Sequence, residues 1–535
     1  MPQLNNLWSL RKDICMEQSR TKSTLINTSF AVMARFVSMG FGFLQKTIFI
    51  RTLGMSYTGI SGLFTDILTI LSLAELGISS AIAYSLYKPI AENDYKRIAQ
   101  LMNFFKKAYT LIAVTIFTLG LCLVPVIQYI VKDVPDITES IQLIFVLYIA
   151  NTAVTYLLVY KNTLLVAAQK QYIVSNIQMI FTVISIVVQC VILLIFRDFM
   201  LYLVLQIVFS LLQNITINLV ATKKYPQLKE FSREKISKED RKRLFKDIKA
   251  LMLYKIANVI TTGTDSTIIS SALGTSQVGI LGNYRTIQGY ATSIIAQFYN
   301  SINPSLGNLA AVEGKERQYR IFKKLDFGTF WLTCFCATAF WTLFNPFIYI
   351  WLGSEEWLLS SITVVVFVMD FFLSNVLHSV GAFRIANGLF VQTKYLALTR
   401  AIINLIISIA LVKPLGILGV LLGTVLSCVV TQLWYEPMIL YREVFQKSVL
   451  EYYLRLVVYI LITMGCCVTI SGIMQLFSVS NPWVELLIRA GLCVIIVNVV
   501  VSVLFYNREE YHECLILIRK VLNSMFRKIV PKKVS

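Results

Sequence analysis

The stretch LGMSYTGISG at Leu53–Gly62 returns as LGTSQVGILG at Leu273–Gly282, with six of the ten positions identical at an offset of 220 residues. A second match pairs QKQY at Gln169–Tyr172 with QTKY at Gln392–Tyr395, at an offset of 223. One short match can arise by chance in a biased composition. Two matches at nearly the same offset indicate an internal repeat.

The composition is that of a membrane protein. Of 535 residues, 56% are hydrophobic and 15% are charged, and the mean hydropathy is +0.69. Since a helix needs about 20 mostly apolar residues to cross a bilayer, the sequence predicts an all-α polytopic membrane protein with about fourteen transmembrane helices. The predicted spans cover residues 23–50, 58–86, 108–131, 139–160, 172–196, 199–221, 250–271, 277–303, 325–350, 357–383, 395–412, 416–436, 450–477 and 482–506.

The distribution of Lys and Arg predicts the orientation. Thirty-seven of the 49, including Lys161 and Arg384, lie at the termini or in loops on one side of the predicted spans, against four on the other side. Because cationic loops stay in the cytoplasm, both termini are expected there. Membrane topology therefore explains the formal charge of +20, and we expect no nucleic-acid partner. Polar residues precede the first apolar run, so we expect the first helix to remain as an anchor.

The repeat aligns spans one to six with spans seven to twelve. Because six is even, the two halves enter from the same side, and the repeat is parallel about an axis along the membrane normal. Such two-lobed folds suit alternating access around a midplane substrate site, although duplication could also serve only to build a large bundle. The predicted divisions are an N-terminal lobe (1–221), a basic cytoplasmic linker helix (222–249), a C-terminal lobe (250–441), a C-terminal helix pair (442–506) and an amphipathic cytoplasmic tail (507–535).

Several cations fall inside predicted spans, where a charge at the helix centre costs about 2.5–3.5 kcal/mol and usually faces a cavity or a partner. Arg35 lies deep in span one, and its repeat partner at an offset of 220 is Lys255. Arg285 on span eight, with Lys46 and Arg51 on span one, would extend a basic lining. Facing cations repel in a dry core, so we expect a hydrated cavity that receives an anion, and a pyrophosphate suits several donors.

The acidic residues of the predicted spans allow two interpretations. Glu75 and Asp265 would either form structural ion pairs with the two repeat-related cations or take part in ion coupling. Asp370 and His378 lie eight residues apart on one helix face and are the favoured place for a proton or sodium site.

The cysteines and histidines predict no metal site. Two histidines are too few for a His-built site, and the ten cysteines contain no CxxC. We therefore expect no catalytic residue and no cofactor, and the one accessory requirement would be a proton or sodium gradient.

Residues 34–107 carry a resemblance to a known family. RTLG at Arg51–Gly54, AELGI at Ala74–Ile78 and YKPIAEND at Tyr87–Asp94 resemble the N-terminal region of Wzx-type polysaccharide flippases. These flippases belong to the multidrug/oligosaccharidyl-lipid/polysaccharide exporter (MOP) superfamily, whose architecture is similar to the one predicted for the whole chain. The resemblance implies movement of undecaprenyl-pyrophosphate-linked oligosaccharide repeat units from the inner to the outer leaflet of a bacterial plasma membrane. The export would serve capsule, exopolysaccharide or cell-wall polymer.

Further expectations follow from the resemblance. In similar flippases basic residues of the central cavity receive the pyrophosphate or anionic sugars, which implies that role for Arg35, Lys255 and Arg285. The last helix pair would hold the lipid tail. Membrane lipids and the polymerase and glycosyltransferases of the same pathway would be partners.

Two other classes of protein compete with this interpretation. A multidrug or small-metabolite antiporter of the same fold would need an anionic, aromatic-lined cavity, whereas the deep charges here are mainly cationic. A membrane glycosyltransferase or polymerase of the same pathway would need acidic catalytic residues in a sizeable extracytoplasmic loop. The predicted outer loops are short turns.

Overall fold

The computed structural model describes most of the chain between residues 37 and 519. The described ranges are 37–75, 85–86, 89–90, 92–131, 139–168, 170–231, 234–239, 241–242, 264–389, 392–393, 395–476, 479–516 and residue 519. Every regular element within these ranges is helical, which confirms the predicted all-α class. Internal contacts divide the chain into two compact units, Met1–Gly279 and Ile280–Ser535.

The described helices are numbered here in chain order. The first seven are α1 (37–53), α2 (Met55–Leu71), α3 (Tyr95–Ile130), α4 (Ile141–Tyr156), α5 (Val159–Ala167), α6 (Gln171–Phe196) and α7 (Phe199–Lys224). After a gap in the described residues, α8 (264–273) and α9 (Thr275–Val312) follow. The remainder are α10 (Lys315–Leu352), α11 (Ser361–Val376), α12 (His378–Ala386), α13 (Leu396–Leu415), α14 (Ile417–Val430), α15 (Gln432–Leu440), α16 (Leu450–Gln475), α17 (Pro482–Phe505) and α18 (509–516).

The chain is a multi-pass membrane protein. Within the described residues, ten helical segments are long and apolar enough to cross a membrane. They correspond to the predicted spans three to six and nine to fourteen, while the total of fourteen stays a prediction. Helix α9, in the place of span eight, is long enough but more polar, and it carries the predicted site residue Arg285.

The fourth span is broken into α4 and α5. Leu158, between them, has a φ of 69°, in the left-handed region that non-glycine residues rarely adopt. The Asn214 side chain of α7 donates to the Val154 carbonyl at 3.1 Å and to the Leu157 carbonyl at 3.3 Å. Since hydrocarbon offers no water to these carbonyls, the asparagine makes the break tolerable at membrane depth.

The N-terminal unit is held by two apolar clusters. One joins α1, α2, α3, α4, α6 and α7 around the fully buried rings of Phe64, Phe145 and Phe199. The other joins α3 and α5 to the start of the linker around Phe105 and Tyr109.

The C-terminal unit has an aromatic interior. Phe330 of α10 stacks on Tyr459 of α16, with ring centroids 3.7 Å apart. The buried Tyr284 hydroxyl of α9 donates to Asn345 of α10 at 2.6 Å and accepts from the backbone N–H of Leu359 at 3.0 Å. Because buried hydroxyls need such partners, this tyrosine fixes the register of two helices.

The two predicted cytoplasmic segments are described in part. In the linker, Pro226–Lys229 form a short 3-10 turn. Helix α18 begins the tail, and its Glu510 pairs with Lys323 of α10 at 3.3 Å, while Glu509 pairs with Lys324 at 3.2 Å. The part of the predicted linker helix that begins at residue 243 lies outside the described residues, as does the tail beyond residue 519.

Candidate substrate site

Three of the predicted cations lie in the described residues, on α1 and α9, which correspond to predicted spans one and eight. Lys46 is half-buried on α1, Arg51 is exposed near the end of that helix, and Arg285 is half-buried on α9. Arg35 and Lys255 lie outside the described residues. The expected basic lining therefore stays a prediction for all five residues.

A polar cluster lies beside α1 inside the N-terminal unit. Gln45, which precedes Lys46 in the sequence, donates to the buried Gln189 at 2.6 Å and to the Tyr202 hydroxyl at 3.0 Å. Gln189, in turn, donates to the Tyr202 carbonyl at 3.3 Å. A polar cluster at membrane depth is usually functional or fully satisfied, and this one sets the rotation of α1 against α6 and α7.

The predicted acidic residues Glu75 and Asp265 both lie in the described part of the N-terminal unit, whereas their expected partners do not. Glu75 ends a 3-10 turn, Ser72–Glu75, beside the Tyr156 hydroxyl. Asp265 is 3% exposed on α8. The ion pairs of these carboxylates with Arg35 and Lys255 stay a prediction.

The predicted ion site is divided between two helices. Helix α11 ends at Val376 and α12 begins at His378, so the helix that was expected to be continuous is interrupted. Asp370 accepts from Ser374 at 3.4 Å. His378 stacks on Tyr299 of α9 with ring centroids 5.5 Å apart. Ion coupling at this pair stays a prediction.

The two repeated stretches adopt the same turn. Gly54 follows α1 with a φ of 94°, and Gly274 follows α8 with a φ of 96°. This region of backbone conformation favours glycine because it has no Cβ atom. Each glycine therefore allows one helix to end and the next to begin directly after it.

Five residues beyond each of these turns, the two stretches lie against each other. A Cβ atom at Gly59 would collide with the backbone carbonyl of Thr275. A Cβ atom at Gly279 would lie 2.9 Å from the backbone oxygen of Met55 and 3.2 Å from the backbone nitrogen of Gly59. The contact is reciprocal, since the offset of 220 converts Gly59 to Gly279 and Met55 to Thr275. We call it the glycine crossing, and the repeated glycines are explained by this close backbone approach.

Sequence reasoning missed a buried ion pair in the C-terminal unit. Asp326 of α10 is 1% exposed, and its Oδ2 atom lies 3.4 Å from Nε of Arg455 on α16. Ser379 donates to the other carboxylate oxygen at 2.7 Å, and Arg455 donates to the Tyr441 hydroxyl at 3.0 Å. The one available signal was that Asp326 is the only charged residue of α10 beyond Lys324.

The assignment of Lys161 and Arg384 to loops is wrong. Lys161 lies on α5, where its ammonium donates to Asn218 at 2.7 Å and to Thr222, both on α7. Arg384 lies on α12 and is 5% exposed, with Nε 3.7 Å from the buried Glu436 of α15. The helices extend beyond their apolar stretches because partners inside the protein receive these charges. Each of the two cations thus holds the fourth span of its half of the repeat to the sixth span of the same half.

The charges that interrupt the last helix pair are also paired. Arg489 donates to Glu485, one turn earlier on α17, at 2.6 Å. Arg455 of α16 is engaged with Asp326. Because both cations of this pair are neutralised locally, they do not prevent its remaining surface from facing lipid acyl chains.

The residues of the candidate site are suited to binding a ligand and to changing conformation. No group of three or more metal-ligating side chains occurs among the described residues. The cations and amides around α1 and α9 can donate hydrogen bonds to an anionic ligand. The glycine crossing brings two helices close together, because Gly59 and Gly279 leave room for the backbone and side-chain atoms of Thr275 and Met55.

Comparison by sequence identifies the family. Residues 24–306, a little over half of the chain, match the family described as "Polysaccharide biosynthesis protein". No curated protein sequence matches.

Comparison by structure identifies the fold. The fold is similar to that of the lipid II flippase MurJ in an inward closed conformation, with a TM-score of 0.66, 12% identity and coverage of 89% of this chain and 99% of that one. It is also similar to an inward-facing multidrug resistance MATE family transporter of the MOP superfamily, with a TM-score of 0.55, 16% identity and coverage of 78% of this chain and 98% of that one. For the Vibrio cholerae MATE transporter VcmN the TM-score is 0.52 and the identity 13%, with coverage of 80% of this chain and 99% of that one.

At these identities the structural likeness establishes the fold alone. It confirms the predicted resemblance to the MOP superfamily at that level. Together with the match over residues 24–306, it leads to one conclusion: the chain belongs to the polysaccharide biosynthesis protein family and has the fold of MOP-superfamily transporters.

Proposed function

We propose that the protein is a flippase for undecaprenyl-pyrophosphate-linked oligosaccharide repeat units. It carries the head group from the inner to the outer leaflet of a bacterial plasma membrane, with both chain termini in the cytoplasm. The product feeds the assembly of capsule, exopolysaccharide or cell-wall polymer, in which a polymerase and glycosyltransferases of the pathway are partners.

The observation that carries this proposal is the position of the family match. Residues 24–306 include all five predicted cavity cations, namely Arg35, Lys46, Arg51, Lys255 and Arg285. The region that relates the chain to polysaccharide biosynthesis is thus the one that supplies donors for a pyrophosphate. A cavity for cationic drugs would require the opposite charge.

The glycine crossing supports an alternating-access cycle. By the predicted topology, the turns at Gly54 and Gly274 lie at the extracytoplasmic ends of their helices. Closed, the crossing seals the outer end of the pathway, and its separation opens the way to the outer leaflet. The contact at the two glycines is van der Waals packing, whose individual atom pairs contribute little, so we expect separation of the two stretches to need little energy.

Ion coupling is part of the proposal for the C-terminal unit. Asp370 and His378 are the residues that would take up a proton or a sodium ion, with Glu75 and Asp265 in the N-terminal unit as charge-balancing carboxylates. Protonation of a group that changes its surroundings during the cycle would bias one conformation over the other.

A binding experiment tests the proposal. The thermal unfolding of detergent-purified protein is measured with a polyprenyl-pyrophosphate glycan and, separately, with a lipophilic cation. Binding at 100 times the Kd stabilises the native state by about 2.7 kcal/mol. We expect stabilisation by the anionic lipid alone, and its loss in Arg35→Gln/Lys255→Gln. Stabilisation by the cation alone would favour the antiporter interpretation. An anionic-lipid response unchanged in the double variant would return the two cations to a structural role.

A further inference from the structure

We propose that the cytoplasmic end of the N-terminal unit holds a phosphate-binding site, formed by Lys106, Lys161 and Lys229, that takes the head group of an anionic phospholipid from the inner leaflet. The site is separate from the predicted substrate cavity. It lies where α3, α5 and the turn Pro226–Lys229 meet.

Lys161 keeps a positive charge that its protein contacts do not neutralise. Its Nζ donates to Oδ1 of Asn218 at 2.7 Å and to the Thr222 hydroxyl, both of which are neutral acceptors. An ammonium carries three donors, so one is left for a ligand. No ion pair joins Lys161 to a carboxylate among the residues that the structure describes. A half-buried ammonium with neutral partners alone is costly without an anion nearby.

The second half of the repeat provides an internal comparison. Arg384, the repeat partner of Lys161, is paired with the buried carboxylate of Glu436 at a distance of 3.7 Å. The two cations hold equivalent helices together, and among the described residues a carboxylate neutralises Arg384 but not Lys161. If the role of Lys161 were structural alone, a carboxylate on α7 would serve as it does on α15. The unneutralised cation is the feature expected where an external anion completes the site.

Two further lysines stand close to Lys161. Lys106 lies on α3, which packs against both α5 and the 3-10 turn that carries Lys229, and the charges of both lysines act on Lys161. Both are exposed, so a ligand can reach them. The turn that carries Lys229 is held in place by the preceding Tyr225, whose hydroxyl accepts from Lys170 at 2.9 Å. Three neighbouring ammonium groups repel one another, and a phosphate relieves the repulsion.

The position along the helices agrees with a lipid head group. Lys106 is eleven residues into α3, or about 16 Å from its cytoplasmic end at 1.5 Å per residue. Helix α3 has 36 residues and is therefore longer than the bilayer core requires, so its first turns project into the cytoplasm. Lys106 thus lies at head-group depth, where basic pockets between helices bind phosphate groups of lipids.

Positive charge at this level also serves topology, and the chain offers a matched control for that role. Lys107 is exposed on α3 next to Lys106, and Lys224 is exposed at the end of α7. These two lysines contribute the same charge to the cytoplasmic surface as Lys106 and Lys229. Of these four lysines, Lys106 and Lys229 are the two whose charges act on Lys161.

The experiment measures lipid binding to the delipidated full-length protein in detergent by native mass spectrometry. Phosphatidylglycerol is the test lipid, phosphatidylcholine is the neutral reference, and inorganic phosphate is a competitor. We expect phosphatidylglycerol to bind, and Lys106→Gln/Lys229→Gln to weaken it by about tenfold or more. Lys107→Gln/Lys224→Gln should weaken it less than about threefold. Lys161→Gln keeps hydrogen-bonding capacity towards Asn218 and Thr222 and should also weaken binding.

The outcomes separate the sources of the phosphate. If millimolar inorganic phosphate competes with the lipid, the site recognises the phosphate group itself. If it does not compete, the lipid tails are needed as well. Both outcomes agree with a phosphate site. Equal loss in the two double variants, or equal binding of the two lipids, would overturn the proposal. Because the lipid carries no glycan, these results are independent of whether the protein flips its proposed substrate.

Discussion

Substituting Gly279 by alanine tests the glycine crossing. The new methyl group would lie 2.9 Å from the backbone oxygen of Met55, whereas ordinary contacts are about 3.5 Å or longer. The first turn of α2 would have to move by about 0.5 Å to reach that distance. Overpacking of this kind typically costs about 1–3 kcal/mol, and here it acts only while the two stretches are in contact.

Alanine has a higher helix propensity than glycine by about 1 kcal/mol, but residue 279 lies within α9 in the closed state as well, so this gain is common to both states and cancels. The overpacking alone shifts the closed-to-open equilibrium by about 1–3 kcal/mol, a factor of roughly 5 to 160. Gly282→Ala is the matched control, because a Cβ atom there meets nothing within 4 Å although it lies one turn further along α9.

Amide hydrogen exchange measures this shift. In Gly279→Ala, peptides covering residues 55–64 and 275–284 should exchange faster than in the unsubstituted protein, because exchange follows the population of the open form. In Gly282→Ala they should exchange at the original rate or more slowly. Equal exchange in the two variants would refute the reasoning, since it would mean that the two stretches do not separate.

Three further predictions concern the helices around the site. Asp326→Asn should destabilise the protein by about 3 kcal/mol, because it leaves the half-buried Arg455 uncompensated. Thermal unfolding should show Asp326→Leu/Arg455→Met to be far less destabilising. Asn214→Ala should cost about 1–3 kcal/mol and raise exchange at residues 154–158, because the carbonyls of the break between α4 and α5 lose their donor. Hydrogen bonding to Lys324 lowers the pKa of Glu509 below its usual value of 4.5, so the docking of α18 should persist at neutral pH and weaken only as the pH falls below that value; protection of residues 509–516 that is unchanged at about pH 3, after correction for the intrinsic exchange rate, would contradict this.

Local patterns were enough to predict most of the architecture. The lengths of the apolar stretches predicted each of the ten membrane-crossing segments found in the described residues. The internal repeat predicted that the two stretches are equivalent, and both contain a glycine in the left-handed region, Gly54 and Gly274.

Features that depend on distant partners could not be predicted. Arg384 was assigned to a loop because its charge ends an apolar stretch, and nothing near it in the sequence points to Glu436, 52 residues later. The break at Leu158 has neither proline nor glycine to signal it and depends on Asn214 from another helix. The ion pair of Asp326 was missed for the same reason.

The central claim is that the protein flips an anionic lipid-linked glycan through a cation-lined cavity. The most direct test reconstitutes the protein into vesicles with a fluorescent polyprenyl-pyrophosphate oligosaccharide and measures the fraction that becomes accessible at the opposite leaflet. We expect transfer by the unsubstituted protein and by the exposed-charge control Lys107→Gln/Lys413→Gln, with a loss of about tenfold or more in Lys46→Gln/Arg285→Gln. Absence of transfer by the unsubstituted protein, or full transfer by the Lys46→Gln/Arg285→Gln variant, would contradict the account.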